Sequence, residues 1–296
     1  MHHVSEGRDV NVERPEVELY LERVGVTEIV IPAFSAIING ERVIVALKAE
    51  AYIDLPARQK GIHASRSYES LFEAFEKYSI RRLRVEDLCS EVSHQLLEKH
   101  EYATKAEVKV RGTIVYPALT PLLKKKSYER AVITARAFTK REGGNLYTRK
   151  FVGVKIPAIT TCPSAQRTIY EEYLRKVLGE LYEEVPKPTH MQRGYATILM
   201  EEPEGHIVDA FDLIEIAKSS ASSPTYELLK KEEEARVIVS ALNRPRFVED
   251  VIRYMAAGVV SKYPELPDSV RVFLKYESME SIHTHNLVSK LFATLG

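Results

Sequence analysis

Apolar runs long enough to span a bilayer are missing from these 296 residues; a helix needs ~20 consecutive apolar positions to do so. The first ten residues, MHHVSEGRDV, hold no apolar signal core either. The expectation is a soluble, cytoplasmic chain with no membrane partner. Charge of one sign is also lacking: 42 Lys and Arg stand against 42 Asp and Glu, a formal net charge of zero. That balance leaves no global basic footprint for nucleic acid or an acidic membrane. The short basic run LLKKKSYER carries little weight against it, so no nucleic-acid partner is expected. Cysteine is scarce. Cys89 and Cys162 are too few for a disulfide framework and are expected as free thiols in a reducing compartment. There is no Gly-rich phosphate loop and no strict β-α-β alternation, which excludes the Rossmann and P-loop folds.

What is present is ordinary globular material, 45% hydrophobic and 28% charged, enough for one large domain or two small ones. Asn39-Gly40 separates two β-rich runs, the strongest short hairpin signal. A Gly-containing loop follows and turns helical from about Ser67. Val85, Leu88, Val92 and Leu96 then recur at steps of three and four, the stripe of a second helix. Ala106, Val108 and Val110 alternate with charged residues as in a strand, and Gly143-Gly144-Asn145 marks another hairpin turn. The second half reads as a helix over 165–184, a strand in GYATILME, helices in DAFDLIEIAKS, SPTYELLKKEEEA and PRFVEDVIRYMAAGVVSKY, and a closing strand in SVRVFLKYES. The class is α+β, with helices on one face of a mostly antiparallel sheet. A single catalytic domain of two halves, about 25–160 and 165–296, is expected.

Five stretches carry side chains suited to chemistry. ESMESIHTHNL places Glu277, Glu280, His283 and His285 near the end of the chain. On a strand the two histidines share a face; in a helix or turn Glu280 and His283 are neighbours. Either geometry offers an imidazole and a carboxylate to a borderline divalent cation; the alternative is a polar loop. Cys162 in TTCPSAQ sits where a strand gives way to a helix, where the helix N-terminus favours a thiolate; it would equally serve as a small corner residue. PTHMQRG offers His190 as a ligand and Arg193 for a phosphate, or is a surface turn. The acids Glu232, Glu233 and Glu234, and then Glu249 and Asp250, are either functional or the wet face of helices. Lys60, His63, Ser65 and Arg66 in QKGIHASRSYE supply donors for an anion.

Taken in order, these stretches resemble the type IB GTP cyclohydrolases and their archaeal relatives of the MptA kind. The most specific are GIHASR and ESIHTHN, and the likeness runs from RDVNVERPEVELYLERVGVTEI almost to the C-terminus. The resemblance implies a tunnelling fold of tandem antiparallel modules with helices outside, and chains associated as a homodimer or higher homo-oligomer. It implies one catalytic divalent metal per subunit, Fe(2+) in the MptA branch, with Mn or Zn as alternatives. Matched motif by motif, the metal residues fall on Cys162, His190 and His283. Glu280 and an acid of the run, Glu234, would complete the shell or move protons. Glu249 would clamp the guanine edge, accepting from its ring N–H and amino group. Lys60, His63, Arg66 and Arg193 would contact the triphosphate of the substrate, GTP.

The implied reaction opens the guanine imidazole ring by hydrolysis at C8, releases formate, and closes a dihydropterin from the ribose carbons. The MptA branch yields dihydroneopterin 2′,3′-cyclic phosphate and diphosphate for tetrahydromethanopterin-type pterins; the type IB branch keeps the triphosphate. The rival from another class is a nucleotide-binding scaffold that kept the fold and lost the chemistry. The sequence departs from the family at Ser164, where a second Cys is common, and at Met191, where Asn is usual. The long stretch between Cys162 and His190 resembles the archaeal branch.

Overall fold

The computed structural model describes residues 9–38, 41–79 and 84–296. The Asn39-Gly40 turn lies outside them; the strands on either side, β1 (Leu21–Ile38) and β2 (Glu41–Leu55), are neighbours in the sheet. The chain continues through helices α1 (Ala64–Ser79) and α2 (Val85–Lys99), then strands β3 (Lys105–Leu119), β4 (Lys126–Glu142) and β5 (Asn145–Thr161). Gly143 and Gly144 take positive φ of 58° and 84° in the β4–β5 turn, the left-handed backbone that glycine adopts without strain.

The chain divides into two compact units. The first comprises residues up to Ala36, Val45–Gly112 and Ala135–Phe151; the second comprises Ile37–Ile44, Thr113–Thr134 and Val152–Gly296. The division runs across β3, β4 and β5, each of which gives one end to either unit. In the first unit Leu88, Val92 and Leu96, three of the four stripe residues of α2, are buried, as are Ala106, Val108 and Val110 of β3. The alternate residue Glu107 instead takes Arg136 at 2.7 Å and Arg23 at 2.8 Å.

In the second unit β5 leads into α3 (Pro163–Ile169) and α4 (Arg175–Leu178). With the turns between and after them they cover the helix expected over 165–184, as one helical run of changing pitch. A wider helical turn at Tyr170–Leu174 separates them, and a 3-10 turn at Gly179–Glu183 follows, entered by Gly179 at φ +57°. Then come β6 (Met191–Glu202), α5 (Ala210–Ser220), β7 (Ser223–Pro224), α6 (Lys231–Leu242), α7 (Val248–Lys262), β8 (Arg271–Ser278) and β9 (Leu287–Thr294). Strand order here is β3-β4-β5-β6-β8-β9, with β7 on β5. The buried faces of β6 and β8 meet in antiparallel register, Ala196 opposite Tyr276 and Ile198 opposite Leu274. Leu213, Ile214 and Ala217 of α5 and Val251, Met255 and Val259 of α7 complete that core.

Helix starts shift by a few residues at α1 and α7, and two larger differences from the sequence reading have a physical cause. The helix expected from residue 223 begins at Lys231, because Glu233 folds inward and accepts the N–H of Lys230 at 3.1 Å as well as those of Leu122 and Leu123 at 3.2 and 2.9 Å. The closing strand is β9, not β8. Its residues are largely exposed, Phe292 at 76%, so no apolar alternation announced it.

Candidate active site

In the second unit the even-numbered residues of β5, β6 and β8 form the buried face: Ile156, Ala158 and Thr160; Gln192, Ala196 and Ile198; Leu274, Tyr276 and Ser278. Side chains alternate along a strand, so the same parity carries one residue further to Cys162, His190 and Glu280. The antiparallel order brings the end of β5, the start of β6 and the end of β8 to one edge of the sheet. Residues remote in sequence therefore meet.

Cys162 is the N-cap of α3, half-buried, with Pro163 at the first helical position. Its thiol accepts the N–H of Ala165 at 3.4 Å, and its own N–H donates to the carbonyl of His190 at 3.3 Å. Thr189 Oγ1 donates to the Cys162 carbonyl at 2.8 Å. The corner is braced from behind: Thr161 Oγ1 donates to Ala241 O at 3.0 Å, and Gln166 Nε2 donates to Leu242 O and Lys187 O, both at 2.8 Å. Arg246 N–H donates to Thr161 O at 3.1 Å, which holds the approach to α7 against this corner. Glu249 follows, exposed, in the first turn of α7. Ser164 is exposed and carries a hydroxyl, and Cys162 is the thiol that the corner presents.

His190 Nδ1 lies 2.9 Å from Gln192 Oε1 and 3.9 Å from Glu280 Oε2. Gln192 Nε2 donates to Glu280 Oε1 at 3.3 Å. The Glu280 side chain is 3% exposed and that of His190 is 13% exposed, which puts both acid and imidazole in a largely dry setting. Gly194 is required beside them, because a Cβ there would lie 2.5 Å from Tyr276 Oη. Burial pushes the Tyr276 phenol far up, so it stays a neutral donor.

The other expected residues are placed differently. His283 lies in the β8–β9 connection, exposed, its ring stacked on His285 with centroids 5.0 Å apart. Arg193 is exposed on the face of β6 opposite Gln192. Glu234 is exposed in the first turn of α6, and its neighbour Glu233 is the buried acid of the run. Burial pushes the Glu233 carboxyl up, but donors from Thr120, Leu123, Lys230 and Leu122 outweigh it and hold the group down to about 2. Lys60, His63 and Arg66 belong to the first unit. There Lys60 Nζ lies 3.5 Å from Glu13, His63 Nε2 lies 2.8 Å from Asp9, and Arg66 Nη1 donates to Lys99 O at 3.1 Å. The hydrogen bond from His63, with that from the Asn11 N–H, holds the Asp9 carboxyl below the usual carboxylate range.

Among the described residues, no three His, Cys, Asp or Glu side chains form a cluster able to hold a metal ion. The donor types still suit one. Cys162 offers a thiol, Glu280 a carboxylate, and His190 keeps Nε2 for a ligand because Nδ1 is engaged. Gln192 was named in the sequence only as part of its motif. Its link to Glu280 needs the β6–β8 register, which sequence does not supply.

The fold is that of the uricases, a T-fold. Uricase from Arthrobacter globiformis is similar with a TM-score of 0.56 over 92% of this chain and 93% of its own, at 7% identity. A uricase from Bacillus fastidious gives 0.56 over 93% and 94%, at 10% identity. Residues 8–289 match the family described as Type I GTP cyclohydrolase folE2, and the chain belongs to that family. Its relatives include GTP cyclohydrolase MptA of Methanosphaera stadtmanae, 37% identical over 99% of this chain and 97% of that protein. MptA of Methanothermobacter thermautotrophicus is 37% identical over 95% and 92%. The α+β sheet expected from sequence is thus found, and so is the family.

Proposed function

We propose that the protein is a GTP cyclohydrolase of the MptA type, a cytoplasmic homo-oligomer. It would convert GTP to 7,8-dihydroneopterin 2′,3′-cyclic phosphate, formate and diphosphate in tetrahydromethanopterin-type pterin synthesis. The observation that carries this reading is the convergence of Cys162, His190, Gln192 and Glu280 at one edge of the sheet, in a chain that matches MptA proteins along nearly its whole length.

Cys162, His190 and His283 would hold a divalent cation, Fe(2+) by preference. When bound, such a cation supplies water of lowered pKa at neutral pH. Cys162 would bind as thiolate, and His190 through Nε2. Glu280, dry and hydrogen-bonded, is suited to take up and return the proton that moves during ring opening at C8. Glu234 is a second candidate for that role. Glu249 clamps the guanine edge through two acceptor oxygens, which orients C8. Lys60, His63, Arg66 and Arg193 take the triphosphate, and His63 must then leave Asp9 or share it. Two T-fold-like halves within one catalytic domain complete the reading.

The test is anaerobic incubation of purified protein with GTP and Fe(II), followed by mass analysis of the pterin, with a chelator control. A cyclic phosphate that disappears with chelator is the expected result. A triphosphate product would move the chain to the type IB reaction. Folded protein that yields no pterin with any divalent cation would leave nucleotide binding without chemistry.

A further inference from the structure

Gln192 is 8% exposed and touches both His190 and Glu280. Its amide has one arrangement that satisfies both. A carboxylate only accepts, so the NH₂ end must face Glu280 Oε1 at 3.3 Å. That leaves Oε1 facing His190 Nδ1 at 2.9 Å. An amide oxygen only accepts as well, so Nδ1 must carry the imidazole proton. Nε2 is then left with its lone pair. The alternative tautomer would set two lone pairs against each other at 2.9 Å in a nearly dry setting, and an unmade hydrogen bond is costly there.

We propose that Gln192 is a positioning residue that bridges Glu280 and His190 and fixes the tautomer of His190, so that Nε2 is presented ready to bind a cation. Glu280 then acts on the cation through Gln192, with its Oε2 3.9 Å from Nδ1. This rests on the reading of His190 as a ligand. Imidazole ligands generally gain basicity and orientation when the second nitrogen donates to an acceptor. The period of two supports it from another side. Residue 190 immediately precedes β6 and residue 192 is the next inward position, and Gly194↔Ser278 fixes the register that carries 192 toward 280.

The experiment measures Zn(II) affinity of chelator-stripped full-length protein by competition, with histidine tautomers read from ¹⁵N-histidine NMR and His190→Ala as the assignment control. Gln192→Met keeps size and removes both hydrogen bonds. It should weaken Zn(II) binding roughly 10- to 100-fold, the usual effect of losing such a partner, and His190 should lose its single Nδ1–H form. Gln192→Glu alone sets two carboxylates together and should bind poorly. The double variant Gln192→Glu with Glu280→Gln restores an acceptor for Nδ1 and a donor for that acceptor, and should recover most of the affinity. If Gln192→Met retains wild-type affinity and tautomer while Cys162→Ala and His190→Ala lose Zn(II), the inference is wrong and the site stands. If the latter two also bind like wild type, the cation site itself is elsewhere. Should Gln192→Met fail to fold, the swap decides: binding no better than Gln192→Glu alone overturns the inference.

Discussion

Cys162 and Cys89 are the same residue type in opposite settings. Cys89 is fully buried on α2, and burial, with the charge of Glu86, pushes its thiol far up. Cys162 is half-buried at a helix start. A thiol reagent should therefore modify one thiol per chain in native protein and two after unfolding, and Cys162→Ala should abolish the native reaction. Glu249 is exposed in the first turn of α7, where Asp250 makes the capping hydrogen bond, so its substitution should read out chiefly substrate. Glu249→Gln should raise KM for GTP roughly 10- to 100-fold, the loss of a charge-assisted hydrogen bond, with cation content unchanged. Unaltered KM and kcat would remove it from the site. Cys162, His190 and Glu280 were legible in the sequence as residue types within specific motifs. That they converge follows from a shared parity across three strands, which motifs cannot show. The role of Gln192 depends on the β6–β8 register and was not legible at all.

The elements most faithfully readable were those with a buried face and a solvated one. Leu88, Val92 and Leu96 on α2 and Ala106, Val108 and Val110 on β3 kept their period because one side of each faces the core. The start of α6 did not, since a long-range contact fixes it: Glu233 closes both the first turn of α6 and the 122–123 turn. β9 was hidden because an exposed edge strand has no inner face to mark it. The Glu233 anchor has a pH signature. Its folded pKa, about 2, lies below the value of ~4.3 for an unfolded Glu. It therefore contributes stability that is complete above the unfolded value and lost as pH falls toward 2. Glu233→Gln should lower Tm at pH 7, and the gap from wild type should narrow below pH ~4. A gap independent of pH would contradict the ionic role.

At the scale of the molecule, a different group contributes to the pH dependence of stability in mild acid. His100 is buried beside Ser67 at 3.2 Å and Tyr102 at 2.9 Å. Burial first, then the positive charges of Arg66, His63 and Lys99, bring its pKa down to about 4, against ~6.5 unfolded. Between those values the unfolded chain binds the proton more readily, so stability falls as pH drops from 6.5 toward 4. Denaturant unfolding of His100→Gln should show a flatter slope across that window than wild type. The division between the two compact units crosses β3, β4 and β5 instead of falling at a linker, so no shift in composition marks it in the sequence. On the proposed reading, Cys162 and its neighbours in the second unit are the centre that opens the guanine ring. The most direct measurement is formate released per GTP, taken together with bound cation, for wild type and Cys162→Ala at matched Tm. The account predicts stoichiometric formate from wild type, and neither formate nor tightly bound cation in the variant. Wild-type formate release by folded Cys162→Ala would contradict it.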